Sequence, residues 1–230
     1  MPTRHTVPVD GEEVVAVHHG SDGERWMFFS HGFVSDKSGY AGRCERAVNE
    51  GYDAVRFDHR GCGESSRPFG DQNLTTRIAD LRAVVEYFGA VSPVVFGSSF
   101  GGKVAFHAVA GELSGDVEAV VARSPVTYNE PMERYRTEQE GTGVADAFFE
   151  DLDGYGFETV EENLDVPVAV FHGRDDEVVD VRHSFDAVRA LGTDAVVEAY
   201  AGEGHRFSRD AEARLRDRLF GWLSTATDGA

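Results

Sequence analysis

The chain has 230 residues, with 22 basic and 41 acidic side chains and a formal net charge of −19 at pH 7. That acidity disfavours nucleic acid and anionic membrane surfaces as partners, because like charges repel from phosphate and no basic stripe interrupts them. Hydrophobic residues at 41% and aromatics at 11% exclude a disordered acidic chain and suffice for the core of one α/β domain.

Lys37 and Lys103 are the only lysines, so the remaining basic residues are Arg. Two origins fit this balance: codon bias in a GC-rich genome, or adaptation to very high intracellular salt. The acid excess is spread along the whole chain, which favours the second. Salt then screens self-repulsion while carboxylates keep the surface hydrated. The start, Met1-Pro2-Thr3-Arg4-His5, has no apolar run after it, and no stretch approaches the roughly 18 apolar residues of a membrane span. Cys44 and Cys62 are isolated and read as reduced thiols, so a cytoplasmic location is expected.

Along the chain, Thr6–Val9 and Val14–His19 flank Asp10-Gly11, a hairpin turn pattern. Trp26–Ser30, Ala54–Asp58, Val94–Ser98, Ala119–Ser124, Val168–His172 and Ala195–Tyr200 read as further strands, mostly apolar runs suited to burial on both faces. Helical patterns lie between them at Tyr40–Asn49, Leu74–Phe88, Gly101–Ala110, Val181–Leu191 and Arg209–Leu223. A hairpin followed by repeated βα units implies a mostly parallel sheet with helices on both faces. Tyr128–Asn163 breaks the rhythm. It is rich in aromatics, acids and glycines, has no clear strand, and is expected to form a small helical cap insertion, about 128–163, over a site.

Gly97-Ser98-Ser99-Phe100-Gly101 follows a strand and opens a helix, and it fits G-x-S-x-G. On such a turn Ser99 takes a positive φ and its Oγ points out over the sheet, and a side chain at Gly97 or Gly101 would clash. The Phe100 amide then stands at a helix N-terminus, where it can stabilise an oxyanion. Gly97 to Lys103 also fits the first part of a phosphate-binding P-loop. Val104 stands where the Mg²⁺-binding hydroxyl is needed, so that reading is disfavoured and Lys103 is expected to be an exposed or capping side chain.

A nucleophilic serine needs a base, and the base needs an orienting acid. His205, in a loop between the last strand and the last helix, can reach the top of the sheet. His31, His59 and His172 lie at other strand ends and read as structural. The acid belongs after a strand between serine and histidine, where Asp175, Asp176 and Glu177 are candidates.

The whole pattern resembles the α/β-hydrolase fold superfamily, and in particular small serine carboxylesterases. Members of that superfamily run Ser…Asp…His in chain order and carry H-G-x-x-D after the penultimate core strand, the acid standing three positions past the glycine. The resemblance implies Asp176 as the acid, with Asp175 the runner-up. His31-Gly32-Phe33 resembles the superfamily's oxyanion loop, implying the Phe33 amide as a second donor. Asp58-His59-Arg60-Gly61-Cys62-Gly63-Glu64-Ser65 resembles its D-x-R-G-x-G-x-S loop, a structural turn whose Asp and Arg fix neighbouring backbone.

The expected activity is hydrolysis of a small-molecule ester through an acyl-enzyme, without metal or organic cofactor. An acyltransferase with the same triad, or an inactive binding protein of this fold, are the alternatives. The aromatic interval offers Tyr128, Phe148 and Phe149 as substrate-binding residues.

Overall fold

A computed structural model describes residues 1–21, 23–137 and 143–226. Strands β1 (Thr3–Val9) and β2 (Glu12–His19) pair antiparallel around Asp10-Gly11, with φ of 52° and 81°. Two positive φ values are what a two-residue turn needs to match strand twist. The pairing starts earlier than expected, at Thr3, because the ladder runs unbroken from Val9↔Glu12 to Thr3↔His18.

The remaining strands are β3 (Arg25–Ser30), β4 (Tyr52–Phe57), β5 (Val94–Ser98), β6 (Ala119–Arg123), β7 (Val168–Gly173) and β8 (Ala195–Tyr200). They form one sheet in the order β1-β2-β4-β3-β5-β6-β7-β8. The β1–β2 and β2–β4 pairs are antiparallel and every other pair is parallel. All of β5 and β7 is buried, as continuous apolar runs require; β8, at the edge, is only partly covered.

Alternate side chains of each strand face opposite layers. Met27, Phe29, Phe96, Val121 and Phe171 pack on one face with the apolar stripes of α1 (Ala41–Asn49) and α8 (Arg209–Ala226). Phe28, Val95, Val120 and Val170 pack on the other with α2 (Leu74–Phe88), α3 (Phe100–Val109) and α7 (Val181–Ala190). An Asn73–Thr76 capping box starts α2, and Gly89, at φ 62°, ends it.

The interval expected to be a cap holds α4 (Glu130–Thr137), α5 (Asp146–Asp153) and α6 (Glu158–Asn163), and no strand among the described residues. Positions 138–142 lie outside them. Phe148, Phe149, Leu152, Phe157 and Val160 bury themselves on the α2–α3 side of the core. Asp151 accepts the amides of Leu74 (2.8 Å) and Thr75 (3.1 Å), so its charge sits at the positive end of α2. Among the described residues no helix is long and apolar enough to cross a membrane.

Candidate active site

Ser99 occupies the turn between β5 and α3 with φ 54° and ψ −121°. Its amide donates to Arg123 O (2.9 Å), and its carbonyl accepts from Val126 N (3.0 Å) and Gly102 N (2.9 Å), so β6 and the loop after it brace the strained turn. The glycines are obligatory. A Cβ on Gly97 would lie 2.2 Å from Gly101 O, and one on Gly101 would lie 2.3 Å from Ser30 O.

His205 follows β8 and reaches back over the sheet. Ser99 Oγ donates to His205 Nε2 at 3.0 Å, and His205 Nδ1 donates to Asp176 Oδ2 at 2.8 Å. Asp176 Oδ1 accepts the amides of Val178 (2.8 Å) and Val179 (2.9 Å). His172, expected to be structural, donates from Nε2 to Asp176 Oδ2 (3.1 Å) and Val179 O (2.9 Å), while its Nδ1 accepts from Ser184 Oγ (2.7 Å). Burial alone would raise the Asp176 pKa. The hydrogen bonds from His172, His205 and the Val179 amide outweigh it and hold the carboxyl well below its ordinary range. Asp175 is exposed and stands outside this chain of contacts.

The loop after β3 lies against Ser99: a Cβ on Gly32 would sit 3.5 Å from Ser99 Cβ and 4.0 Å from Oγ. His31 Nδ1 donates to Gly32 O (2.8 Å), while His31 Nε2 accepts the His59 amide (3.0 Å). Buried Arg77 donates to Gly32 O (3.3 Å) and Phe33 O (2.9 Å). A trans peptide holds its C=O and N–H on opposite sides. Anchoring Gly32 O from one side therefore turns the Phe33 N–H the other way. Burial first, and then the charges of His59 and Arg77, push the His31 pKa well down, so its ring stays neutral in this role. The Phe100 amide opens α3, where first-turn N–H groups have no intrahelical acceptor. Asp58 accepts the Lys37 (2.7 Å) and Glu64 (2.8 Å) amides, the expected structural use of its loop. Arg60 binds mainly carboxylates, from Asp80, Glu12 and Asp10.

A cavity of about 470 Å³ opens over Ser99 and His205. Its walls include Phe33, Val126, Met132, Tyr135, Val178 and Val179. Tyr128, Phe148 and Phe149, expected to bind substrate, are not among them. Phe148 is buried against the Phe33 and Phe100 rings (5.0 and 5.6 Å between centroids) and supports the two loops from below. Phe149 packs edge-on against Phe148, and Tyr128 packs on Phe157 and His183. Their large apolar rings were taken up by the core.

Lys103 is also corrected. It is 1% exposed, and its Nζ donates to Thr127 O (3.2 Å) and Tyr155 O (2.9 Å). It neither faces solvent nor reaches out as a P-loop lysine does, because helices of the interval cover α3.

The sequence pattern of the serine aminopeptidase S33 family (Hydrolase_4) matches residues 22–152, more than half of the chain. The chain belongs to this family of α/β-hydrolases. The matched segment of this family member contains Gly32, Phe33 and Ser99 and stops before Asp176 and His205. It is 28% identical to the bifunctional esterase/perhydrolase DCH of Acinetobacter calcoaceticus, over 71% of this chain and 58% of that protein. It therefore spans less than two thirds of that relative's length. It is 24% identical to a non-heme haloperoxidase of Rhodococcus erythropolis, over 85% of this chain and 90% of the relative. In fold it is similar to the ferulic acid complex of Est1E from Butyrivibrio proteoclasticus, with a TM-score of 0.81, 19% identity, and 96% and 98% of the two chains covered.

Proposed function

We propose that this hydrolase is a serine esterase in which Ser99 is the nucleophile, His205 the general base and acid, and Asp176 the orienting carboxylate. The observation that carries the reading is the unbroken hydrogen-bond line Ser99–His205–Asp176, 3.0 and 2.8 Å, at the floor of a cavity. His205 takes the Ser99 proton as Oγ attacks the ester carbonyl. The amides of Phe33 and Phe100 receive the oxyanion. His205 then gives the proton to the leaving alcohol. Water, deprotonated by His205, attacks the acyl-enzyme, releasing the carboxylic acid and restoring Ser99. Asp176 holds the imidazole with its proton on Nδ1 and stabilises the cation that forms. The α4–α6 interval acts as a small cap whose Met132 and Tyr135 face the acyl group.

The test is release of nitrophenol from short-chain p-nitrophenyl esters in salt of about 2–4 M, chosen to screen the acidic surface. Ser99→Ala should abolish both turnover and labelling by an organophosphonate. Undiminished turnover in that variant refutes the assignment.

One observation favours a second use of the same acyl-enzyme. A relative bears the name esterase/perhydrolase. Hydrogen peroxide in place of water would attack the acyl carbonyl, leaving Ser99 free and forming a peracid. Halide oxidation that requires both ester and peroxide, and that Ser99→Ala removes, checks it.

A further inference from the structure

His205 stands in the 201–208 loop between β8 and α8, which has neither helix nor strand of its own. Its imidazole is only as well placed as the contacts that hold that loop. Glu203 closes the loop on itself, accepting the Ser208 amide and hydroxyl at 2.7 Å each. Glu203 O also accepts the Asp175 amide (2.9 Å), and it lies so near Gly173 that a Cβ there would come within 2.2 Å of it. At His205 itself the backbone is held by Arg123, whose Nη1 donates to His205 O at 2.8 Å.

Arg123 ends β6, in register with Ser98 of β5 and Phe171 of β7. Its carbonyl accepts the Ser99 amide (2.9 Å), and its Nε donates to Ser98 Oγ (3.4 Å). One residue therefore grips the backbone of Ser99 with its main chain and the backbone of His205 with its side chain. Its guanidinium also lies 5.6 Å from the centroid of the Phe207 ring, which packs on Tyr200 at 5.0 Å. An ion pair does not account for the charge: Glu212 is 3.9 Å away and lies closer to Arg43. Burial first, and then the charge of Arg43, lower the Arg123 pKa, so the cation is held there against its own desolvation. Arg123 reaches the wall of the cavity, but its Nε and Nη1 are both engaged by protein.

We infer that Arg123 is a positioning residue for the reaction, setting the reach of His205 to Ser99 by holding both backbones. A planar guanidinium suits the task, because its fork meets two acceptors at a fixed angle. His205 takes the Ser99 proton and then hands it to the leaving alcohol, and each transfer needs a heavy-atom approach of about 2.6–3.2 Å. A loosened loop harms the second transfer most when the leaving alcohol cannot depart without that proton. This deepens the serine-esterase reading and rests on it for the reaction.

The experiment compares Arg123→Met with wild type on p-nitrophenyl butyrate and ethyl butyrate, in salt of about 2–4 M. Nitrophenolate leaves without a proton, whereas ethoxide does not. The variant should lose about tenfold in kcat/KM on the nitrophenyl ester and about a hundredfold or more on the ethyl ester, with KM little changed. Loss of folded protein would lower both equally. Proton NMR adds a readout that needs no turnover. The His205 Nδ1–H bonded to Asp176 should give a low-field signal, identified by its absence from His205→Ala, and Arg123→Met should broaden or remove it. The His172 Nε2–H signal should persist and report an intact fold around Asp176. Arg123→Lys keeps the charge but cannot bridge Ser98 and His205 as a fork does. It should show the same changes at smaller size, and it is the test if Arg123→Met does not fold. A folded variant with the wild-type ester ratio and the wild-type His205 signal overturns the inference and leaves the esterase intact. A raised KM at unchanged kcat, which marks a substrate contact, overturns it too. If wild type hydrolyses no ester but the variant loses the His205 signal, the esterase reading falls and the brace on His205 stands. If the signal is also unchanged, both fall.

Discussion

His172 and His205 present ring N–H groups to one oxygen, Asp176 Oδ2, at 3.1 and 2.8 Å. His205 alone goes on to Ser99. His172 stays fully buried and ties the carboxylate to α7 through Ser184. It is a positioning residue for the acid. His172→Leu strands the Ser184 hydroxyl and the Val179 carbonyl, and should cost about 1–3 kcal/mol in chemical denaturation. It should also lower kcat about tenfold, since Asp176 keeps its two backbone donors but loses a lateral one. Unchanged kcat in a destabilised protein would restrict His172 to folding.

The depressed Asp176 carboxyl also sets a pH dependence. Its folded pKa lies well below the ordinary 3.8, so the unfolded chain takes up a proton that the folded one refuses. The stability it contributes is complete above that ordinary value and drains away as pH falls below it. Asp176→Asn should flatten this part of the acid limb, as read from denaturation midpoints between about pH 2 and 5.

Arg77 reaches from α2 to both carbonyls of the Gly32-Phe33 loop, and its guanidinium lies 5.8 and 5.3 Å from the Phe33 and Phe100 ring centroids. Arg77→Lys keeps a charge but loses the fork that spans two acceptors. The expected result is a fall in kcat of about tenfold or more with KM little changed. Loosening one oxyanion donor costs less than the hundredfold or more of deleting it. A rise in KM at constant kcat would mean that Arg77 shapes the pocket instead.

Much of this site is legible in the amino-acid order, for a local reason. Ser99, Asp176 and His205 each stand at a strand end in a short motif, and the parallel sheet gathers such ends at one edge. Arg77 acts through contacts with another segment, which no local pattern encodes; His172 opens the H-G-x-x-D motif, but its bond to Ser184 on α7 is a contact that the motif does not specify. The aromatics of the interval could be picked out by type but not by facing, so Phe148 and Phe149 went to the core while Val126, Met132 and Tyr135 line the cavity. Lys103 did leave a trace. It is the sole Lys, Arg, Asp or Glu in α3, whose other residues apart from His107 are apolar, and every residue of that helix is buried.

That buried lysine gives a second pH dependence, of opposite chemical type. Burial, opposed only in part by the charge of Glu158, pushes the Lys103 ammonium down to about 7. A neutral amine still has two hydrogens for the Thr127 and Tyr155 carbonyls. Between about pH 7 and 10.5 the unfolded chain holds a proton that the folded chain has released, so stability should rise with pH across that window. Lys103→Met should remove the rise relative to wild type and leave two carbonyls unsatisfied. Parallel pH profiles for the two proteins would show that Lys103 keeps its charge when buried.

The −19 net charge has a structural counterpart in the lysines: Lys37 and Lys103 are both buried, 7% and 1% exposed, and among the described residues Glu64 is the one exposed carboxylate that a lysine ammonium, that of Lys37, pairs with. Residues such as Glu24, Glu150 and Asp194 are exposed far apart along the chain. Their mutual repulsion acts over about 10 Å at 0.1 M salt and about 3 Å at 1 M. We therefore expect the melting temperature to climb steeply as sodium chloride rises from 0.1 to about 3 M, and the fold to be lost in dilute buffer. Replacing exposed carboxylates by amides, Glu24→Gln, Glu150→Gln and Asp194→Asn together, should lower the salt needed for half-maximal stability. Chloride is the right anion, since sulfate strengthens apolar burial in any protein and would hide the charge effect. Full stability without added salt or divalent ions would leave the acid excess as a matter of codon usage.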